Sequence, residues 1–258
     1  MRVDVVLTPT RQLSGDAGML FIVVDVLRTS TTLCTALAHG AKAIVPFPTP
    51  EEAREFVQRS SQPVLLAGEQ EGQPIPGFEL ENSPVEYTPE RVAGRIIAFV
   101  SSNGAPLLRQ LPDGEEVRTI VAGLVNNGAV LEYIWQWRPR TVLICCAGNG
   151  GAIAYEDVVG AGAIVEGLRR YRSVALTDAA HLAAAVYREA ASNCFAVMMR
   201  CSRHARFLAL TGRERDVEYA VQRDRFWVVP RWFSGMITAE PSSAKVASVT
   251  ADMPECAA

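Results

Sequence analysis

One carboxylate, one guanidinium and four consecutive hydroxyls follow directly on an apolar run in VVDVLRTSTT, residues 23–32. The carboxylate is Asp25, the guanidinium Arg28, and the hydroxyls run from Thr29 to Thr32. A strand that ends in such residues and passes into a helix presents free backbone N–H groups, the positive end of the helix dipole and a planar donor fork to one place. That combination suits phosphate or sulfonate oxygens, so a phosphorylated ligand is expected. Arg28, Ser30 and Thr31 are the candidate anion-binding residues.

The same theme recurs along the chain. Glu69 ends the run PVLLAGE, and Ser102, Asn103 and Gly104 end GRIIAFVSSNG. Asn126 and Asn127 follow RTIVAGLV, and Asn149, Glu156 and Asp157 follow TVLICCAG. Oxygen donors without His or Cys companions suit a hard cation such as Mg²⁺, which keeps several waters and bridges to substrate phosphate. Asp25, Glu69, Glu156 and Asp157 are the candidate metal ligands, and Asp25, Glu69 and Asp157 the candidate catalytic acids. Each residue type also serves ordinary turns and caps; it is their recurrence at strand ends that points to a site.

Elements of alternating kind must position these groups. Met19 to Val24 reads as a strand buried on both faces, followed by a helix with a hydroxyl N-cap near Ser30, Leu33, Ala36 and Leu37 on one face, and Gly40 as the stop. AIVPF (43–47) is a strand, and TPEEAREFVQRS a helix capped by Thr49, with Pro50 at its first position and Glu52 closing a capping box. Thr177 caps the helix of LTDAAHLAAAVY, with Asp178 in its first turn. Successive βα units predict a layered α/β/α fold on a mixed or mostly parallel sheet, whose ligands bind outside the carboxyl ends of the strands. Residues 1–233 form one α/β domain or two packed halves. An apolar strand closes the domain at Pro230, and residues 234–258, small and polar, form a loosely held tail. The long segment after Glu69 is a functional loop held down by Ile75, Phe78, Leu80 and Val85, with Asn82 and Ser83 reaching the Asp25 cleft.

Composition narrows the function classes. With 258 residues, 49% hydrophobic and a net charge of −3, the chain suits an ordinary globular protein and neither nucleic acid nor an anionic membrane. No apolar run has the length of a membrane span, and the amino terminus lacks a signal-peptide core, so a cytoplasmic protein is expected. Six cysteines without a CxxC pair read as small buried hydrophobes in a reducing compartment. P-loop, nucleophile-elbow and HExxH motifs are absent, and GNGGA (148–152) has the wrong spacing for a dinucleotide fingerprint. Trp135, Trp137, Trp227 and Trp232 serve a core or an interface, which leaves homo-oligomerisation open.

Six segments taken together carry a family resemblance: VVDVLRTSTT; GE with GFELENSP; SSNG; CAG with YEDVVGAGAIV; TDAA; and CSRHARFLALTG with DVEYAVQRDRFWVVP. In this order and approximate spacing the chain resembles the ComB family of 2-phosphosulfolactate phosphatases, Mg²⁺-dependent hydrolases of coenzyme M biosynthesis. The resemblance implies hydrolysis of 2-phosphosulfolactate to sulfolactate and phosphate, with Arg203 and His204 matching the family's basic cluster that would hold a sulfonate or carboxylate. A structural ion pair of that cluster with Asp216 or Glu218 is the competing role. The chain departs from the family pattern at Gln70, where an Arg is usual, at Glu79 and Glu81, where an Asp and a Gly are usual, and in the serines beside Asn103. The alternatives are a phosphatase of this fold for another small phosphorylated acid, and a non-catalytic anion-binding relative. Asp25 suits nucleophile, base or metal ligand equally.

Overall fold

Alternation of apolar runs with capped helical stretches produces the layered α/β architecture expected, with a mostly parallel sheet. The computed structural model describes residues 1–8, 13–112, 114–170 and 174–240. Its strands are β1 (Arg2–Val6), β2 (Met19–Val24), β3 (Ala43–Phe47), β4 (Val64–Gln70), β5 (Gln73–Pro74), β6 (Leu80–Glu81), β7 (Ile96–Val100), β8 (Arg118–Ala122), β9 (Thr141–Cys146), β10 (Ala175–Leu176), β11 (Pro230–Phe233) and β12 (Met236–Ala239). Its helices are α1 (Thr29–Ala38), α2 (Pro50–Arg59), α3 (Pro89–Val92), α4 (Gly104–Gln110), α5 (Asn127–Trp137), α6 (Tyr155–Leu168), α7 (Asp178–Ala190), α8 (Cys194–Cys201), α9 (Arg203–Leu210) and α10 (Glu214–Ala220).

Two parallel half-sheets make up the whole. β10, β1, β9, β2 and β8 pair in parallel, as do β3, β7, β4 and β6. The β11–β12 hairpin lies between them, antiparallel to β8 on one side and to β3 on the other. The chain passes from the first half to the second through α1 and returns through α4. Phe21 and Val23 of β2 share one core with Ile97 and Phe99 of β7, around Leu33 and Leu37 of α1 and Leu107 and Leu108 of α4. Opposite faces of the strands pack outward, Ile22 and Val24 against α6 and Val64 and Val100 against α2. Each Leu, Ile or Phe fully buried in this way contributes roughly 1.5–3 kcal/mol.

Several local expectations hold. β2 is buried on both faces, Thr49 Oγ1 accepts the Glu52 N–H at 3.3 Å, and Thr177 Oγ1 accepts the Ala180 N–H at 3.3 Å. Others need correction. The residue at the N-cap of α1 is Arg28, whose side chain makes no capping bond, and α1 is buried on all sides from Thr29 to Leu37 because both half-sheets and α4 surround it. Residues 226–229 form no strand; β11 starts at Pro230, where a residue without an N–H is tolerated. Residues 234–240 are no loose tail, since β12 is paired on both sides and Ile237 is fully buried. Residues 241–258 lie outside the described residues. Ile75 and Leu80 anchor the long loop as expected, whereas Val85 is exposed.

Cys34, Cys145 and Cys146 are buried, Cys194 and Cys201 partly so, and all five are unpaired. Burial pushes the Cys145 thiol up to about 12 and that of Cys194 up to about 11, which makes both poor nucleophiles. Trp232 is core and Trp227 exposed. Among the described residues no helix is long and apolar enough to cross a membrane.

Candidate active site

The loops leaving β2 and β7 meet at the starts of α1 and α4. Ser30 shapes the first of them: its hydroxyl accepts the Asp25 N–H at 2.9 Å while its own N–H donates to the Asp25 carbonyl at 2.8 Å. Thr31 Oγ1 donates to the Val26 carbonyl at 2.8 Å. Both hydroxyls are thus spent on the turn that presents Asp25, and neither lines the adjoining cavity. The Asp25 carboxylate, through Oδ1, accepts the Thr29 N–H at 3.3 Å, taking the capping role expected of a hydroxyl. Gly104 makes room for it, since a Cβ there would lie 2.7 Å from Asp25 Oδ2 and 2.8 Å from Thr29 Cγ2.

A cavity of about 550 Å³ opens at this junction, lined by Asp25, Arg28, Glu69, Asn82, Ser102, Asn103, Asn149, Arg203 and His204 among others. Glu69 is fixed by three donors: the Ser102 N–H at 2.7 Å, the Ser102 hydroxyl at 3.1 Å and the Gly72 N–H at 2.5 Å. Asn82 is buried, with Nδ2 3.5 Å from Thr29 Oγ1 and Oδ1 without a partner. Arg203 lines the cavity and forms no ion pair among the described residues, so the expected alternative of a structural pair with Asp216 or Glu218 is not realised. His204 stands 3.4 Å from Asn149 Nδ2 and stacks on Phe207 at 5.7 Å. Burial, aided by Arg28, holds His204 down at about 4, so it is neutral near pH 7.

The lining carries three acids, Asp25, Glu69 and Glu71, and two arginines, Arg28 and Arg203. Asp25 is raised to about 7, by burial first and then by Glu69 and Glu156, against the opposing Thr29 hydrogen bond. Among the described residues no three His, Cys, Asp or Glu side chains converge into a cage. The two buried carboxylates of the cavity nevertheless suit a hard cation that keeps its waters and shares substrate oxygens. Asp25 and Glu69, the buried ones among the cavity's carboxylates, are the residues that could hold such a cation.

The family model for 2-phosphosulpholactate phosphatase matches residues 6–235. The chain belongs to that family. Relatives called probable 2-phosphosulfolactate phosphatase include one from Thermotoga maritima, 36% identical over 91% of this chain and 96% of its own. Another, from Caldanaerobacter subterraneus subsp. tengcongensis, is 35% identical over 84% of this chain and 88% of its own. A third, from Symbiobacterium thermophilum, is 35% identical over 86% and 94% respectively. Membership of this phosphatase family makes the chain a phosphoric monoester hydrolase.

Within the 2-phosphosulpholactate phosphatase fold the remaining predicted residues hold walls together. Asp157 accepts the Val26 N–H at 2.8 Å and the Gly148 N–H at 3.0 Å, tying the Asp25 loop to the loop that carries Asn149. Glu156 accepts the Ser202 hydroxyl at 2.7 Å, and Ser202 caps α9, which carries Arg203 and His204. Burial raises both acids, with Asp25 and Glu156 adding to the rise at Asp157. Neither lines the cavity. Asn126 likewise serves a turn, accepting the Gly123 N–H at 2.8 Å and donating to the Val228 carbonyl at 3.0 Å.

The departures from the family pattern find local roles. Glu79 accepts the Leu66 N–H at 2.8 Å, Glu81 pairs with Arg213 at 3.0 Å, and Gln70 is exposed outside the cavity lining. Sequence reasoning missed Glu71, Gly72 and Phe207 in the wall, and the contact of Asp216 with Arg28. Phe207, four residues after Arg203 on α9, is the one with a local signal, because helical spacing puts both on one face.

Proposed function

We propose that the protein hydrolyses 2-phosphosulfolactate to sulfolactate and phosphate with Mg²⁺ as cofactor, in the cytoplasm, where unpaired cysteines persist. The observation that carries the reading is one cavity in which two buried carboxylates, Asp25 and Glu69, and the exposed Glu71 stand beside two arginines, Arg28 and Arg203. A substrate with a phosphate, a carboxylate and a sulfonate needs both kinds of partner. Bound by Asp25 and Glu69, Mg²⁺ would neutralise phosphoryl oxygens and favour attack at phosphorus.

The chain's own groups divide the remaining work. Arg28 offers a planar fork to the phosphoryl group, and Arg203 at the mouth attracts the second acid. Asn82 supplies a buried polar atom that still lacks a partner. Water attacks phosphorus, the bond from phosphorus to the ester oxygen breaks, and the departing sulfolactate oxygen takes up a proton from solvent, balancing the one that water gives up. Glu69 already accepts three hydrogen bonds from two residues, whereas Asp25 is held by Thr29 alone, through its N–H at 3.3 Å and its hydroxyl, so Asp25 is the carboxylate with capacity to accept the proton from water.

The test is phosphate release from 2-phosphosulfolactate with Mg²⁺, with EDTA, and with Asp25→Ala. Release that needs Mg²⁺ and falls about 10²–10⁴-fold in the variant is expected. Turnover of other phosphorylated acids but not this one would overturn the substrate, and release unaffected by EDTA would overturn the cofactor.

A further inference from the structure

Three buried polar side chains meet behind the cavity wall. Arg28 Nη1 stands 2.8 Å from Asp216 Oδ2, with both side chains 2% exposed, and the Ser83 hydroxyl donates to Asp216 Oδ1 at 2.6 Å. Each carboxylate oxygen therefore holds one donor. Arg28 belongs to the loop after β2 in the first half-sheet, Ser83 follows β6 in the second, and Asp216 lies on α10. Ser83 directly follows Asn82, whose Oδ1 has no partner and whose side chain lines the cavity. Among the described residues the other guanidinium nitrogens of Arg28 make no hydrogen bond, and the side chain also lines the cavity.

We propose that Asp216 is a positioning residue, which aims the free edge of Arg28 at a substrate oxyanion and locks the Asn82 loop beside it. The physical grounds are these. An arginine with two faces to offer binds an oxyanion well only if its plane is fixed, and a carboxylate on one nitrogen fixes it. An uncompensated guanidinium in so closed a place would also be strongly unfavourable, so Asp216 both neutralises and orients. Because the same carboxylate holds Ser83, the two half-sheets are set at a fixed separation where the substrate enters. This rests on the phosphatase reading for the identity of the oxyanion, and on geometry alone for the binding of one.

Two measurements separate these layers. Inorganic phosphate binding is followed by calorimetry, and KM and kcat are measured on 2-phosphosulfolactate, for wild type, Arg28→Ala, Asp216→Ala, Asp216→Asn and the Arg28→Ala/Asp216→Ala double variant. If Asp216 acts through Arg28 and the Asn82 loop, Asp216→Ala weakens phosphate binding and raises KM about tenfold or more, and the double variant loses clearly less than the two single losses combined. Asp216→Asn, which keeps the shape and one acceptor but not the charge, recovers part of the loss. Ser83→Ala, a milder change, raises KM less than Asp216→Ala does. Additive losses in the double variant, or Asp216→Ala and Asp216→Asn that both bind phosphate as wild type does, would overturn the proposal. So would a wild-type protein that binds no phosphate. Phosphate binding that follows this pattern without turnover of 2-phosphosulfolactate would overturn only the substrate.

Discussion

His204 shows how one side chain reports its surroundings. Its folded value of about 4 lies below the usual 6.5, so between those values the unfolded chain takes up a proton that the folded protein refuses. Stability therefore falls as pH drops through that window and is fully present above it. His204→Asn removes this term. Urea unfolding at pH 7 and pH 4.5 is expected to show a loss for wild type that exceeds the variant's by about 2 kcal/mol; equal losses would mean that His204 titrates freely. The acids divide on similar physical grounds. The types and rough places of Asp25, Glu69 and Arg28 were legible because polar residues at strand ends are conspicuous, and Arg203, the first residue of α9, only through the family resemblance of its segment. That Asp157 and Glu156 receive hydrogen bonds from Val26, Gly148 and Ser202 was not legible, since those partners are fixed only when distant segments meet.

At the scale of elements, the facing starts of α1 and α4 decide where the carboxylate sits. Gly104 is needed there for its missing side chain, with no positive φ involved. Gly104→Ala would push a methyl group into Asp25 Oδ2 and Thr29, and a displacement of under an ångström at a reacting group lowers turnover by about 10²-fold. A variant with near-normal melting and wild-type kcat would show that Asp25 is not constrained as described. Element identity was readable where periodicity and caps agree, as in β2, α2 and α7. α1 was readable as a helix too, but its cap and its burial on every side were not legible, because a helix surrounded on all sides has no polar face to betray its orientation; β12 was missed because the four residues Met236–Ala239 are too short a run to show a period.

At the scale of the molecule, the antiparallel hairpin makes two parallel half-sheets into one. Ile237 sits fully buried at its junction with β3, opposite Ile44. Ile237→Ala is expected to lower stability by about 2–5 kcal/mol. Urea unfolding followed by tryptophan fluorescence should show one transition moved to lower denaturant, because Trp232 on β11 reports the same junction. Separate transitions for the two halves would mean that the hairpin does not couple them. The order of the strands along the chain also bears on biosynthesis. β11 and β12 follow all the other strands, so during translation β8 and β3 each stand with one unpaired edge until residues 230–239 leave the ribosome. A nascent chain halted before that point offers two sticky margins to its neighbours, and chaperone dependence is expected to concentrate in that interval.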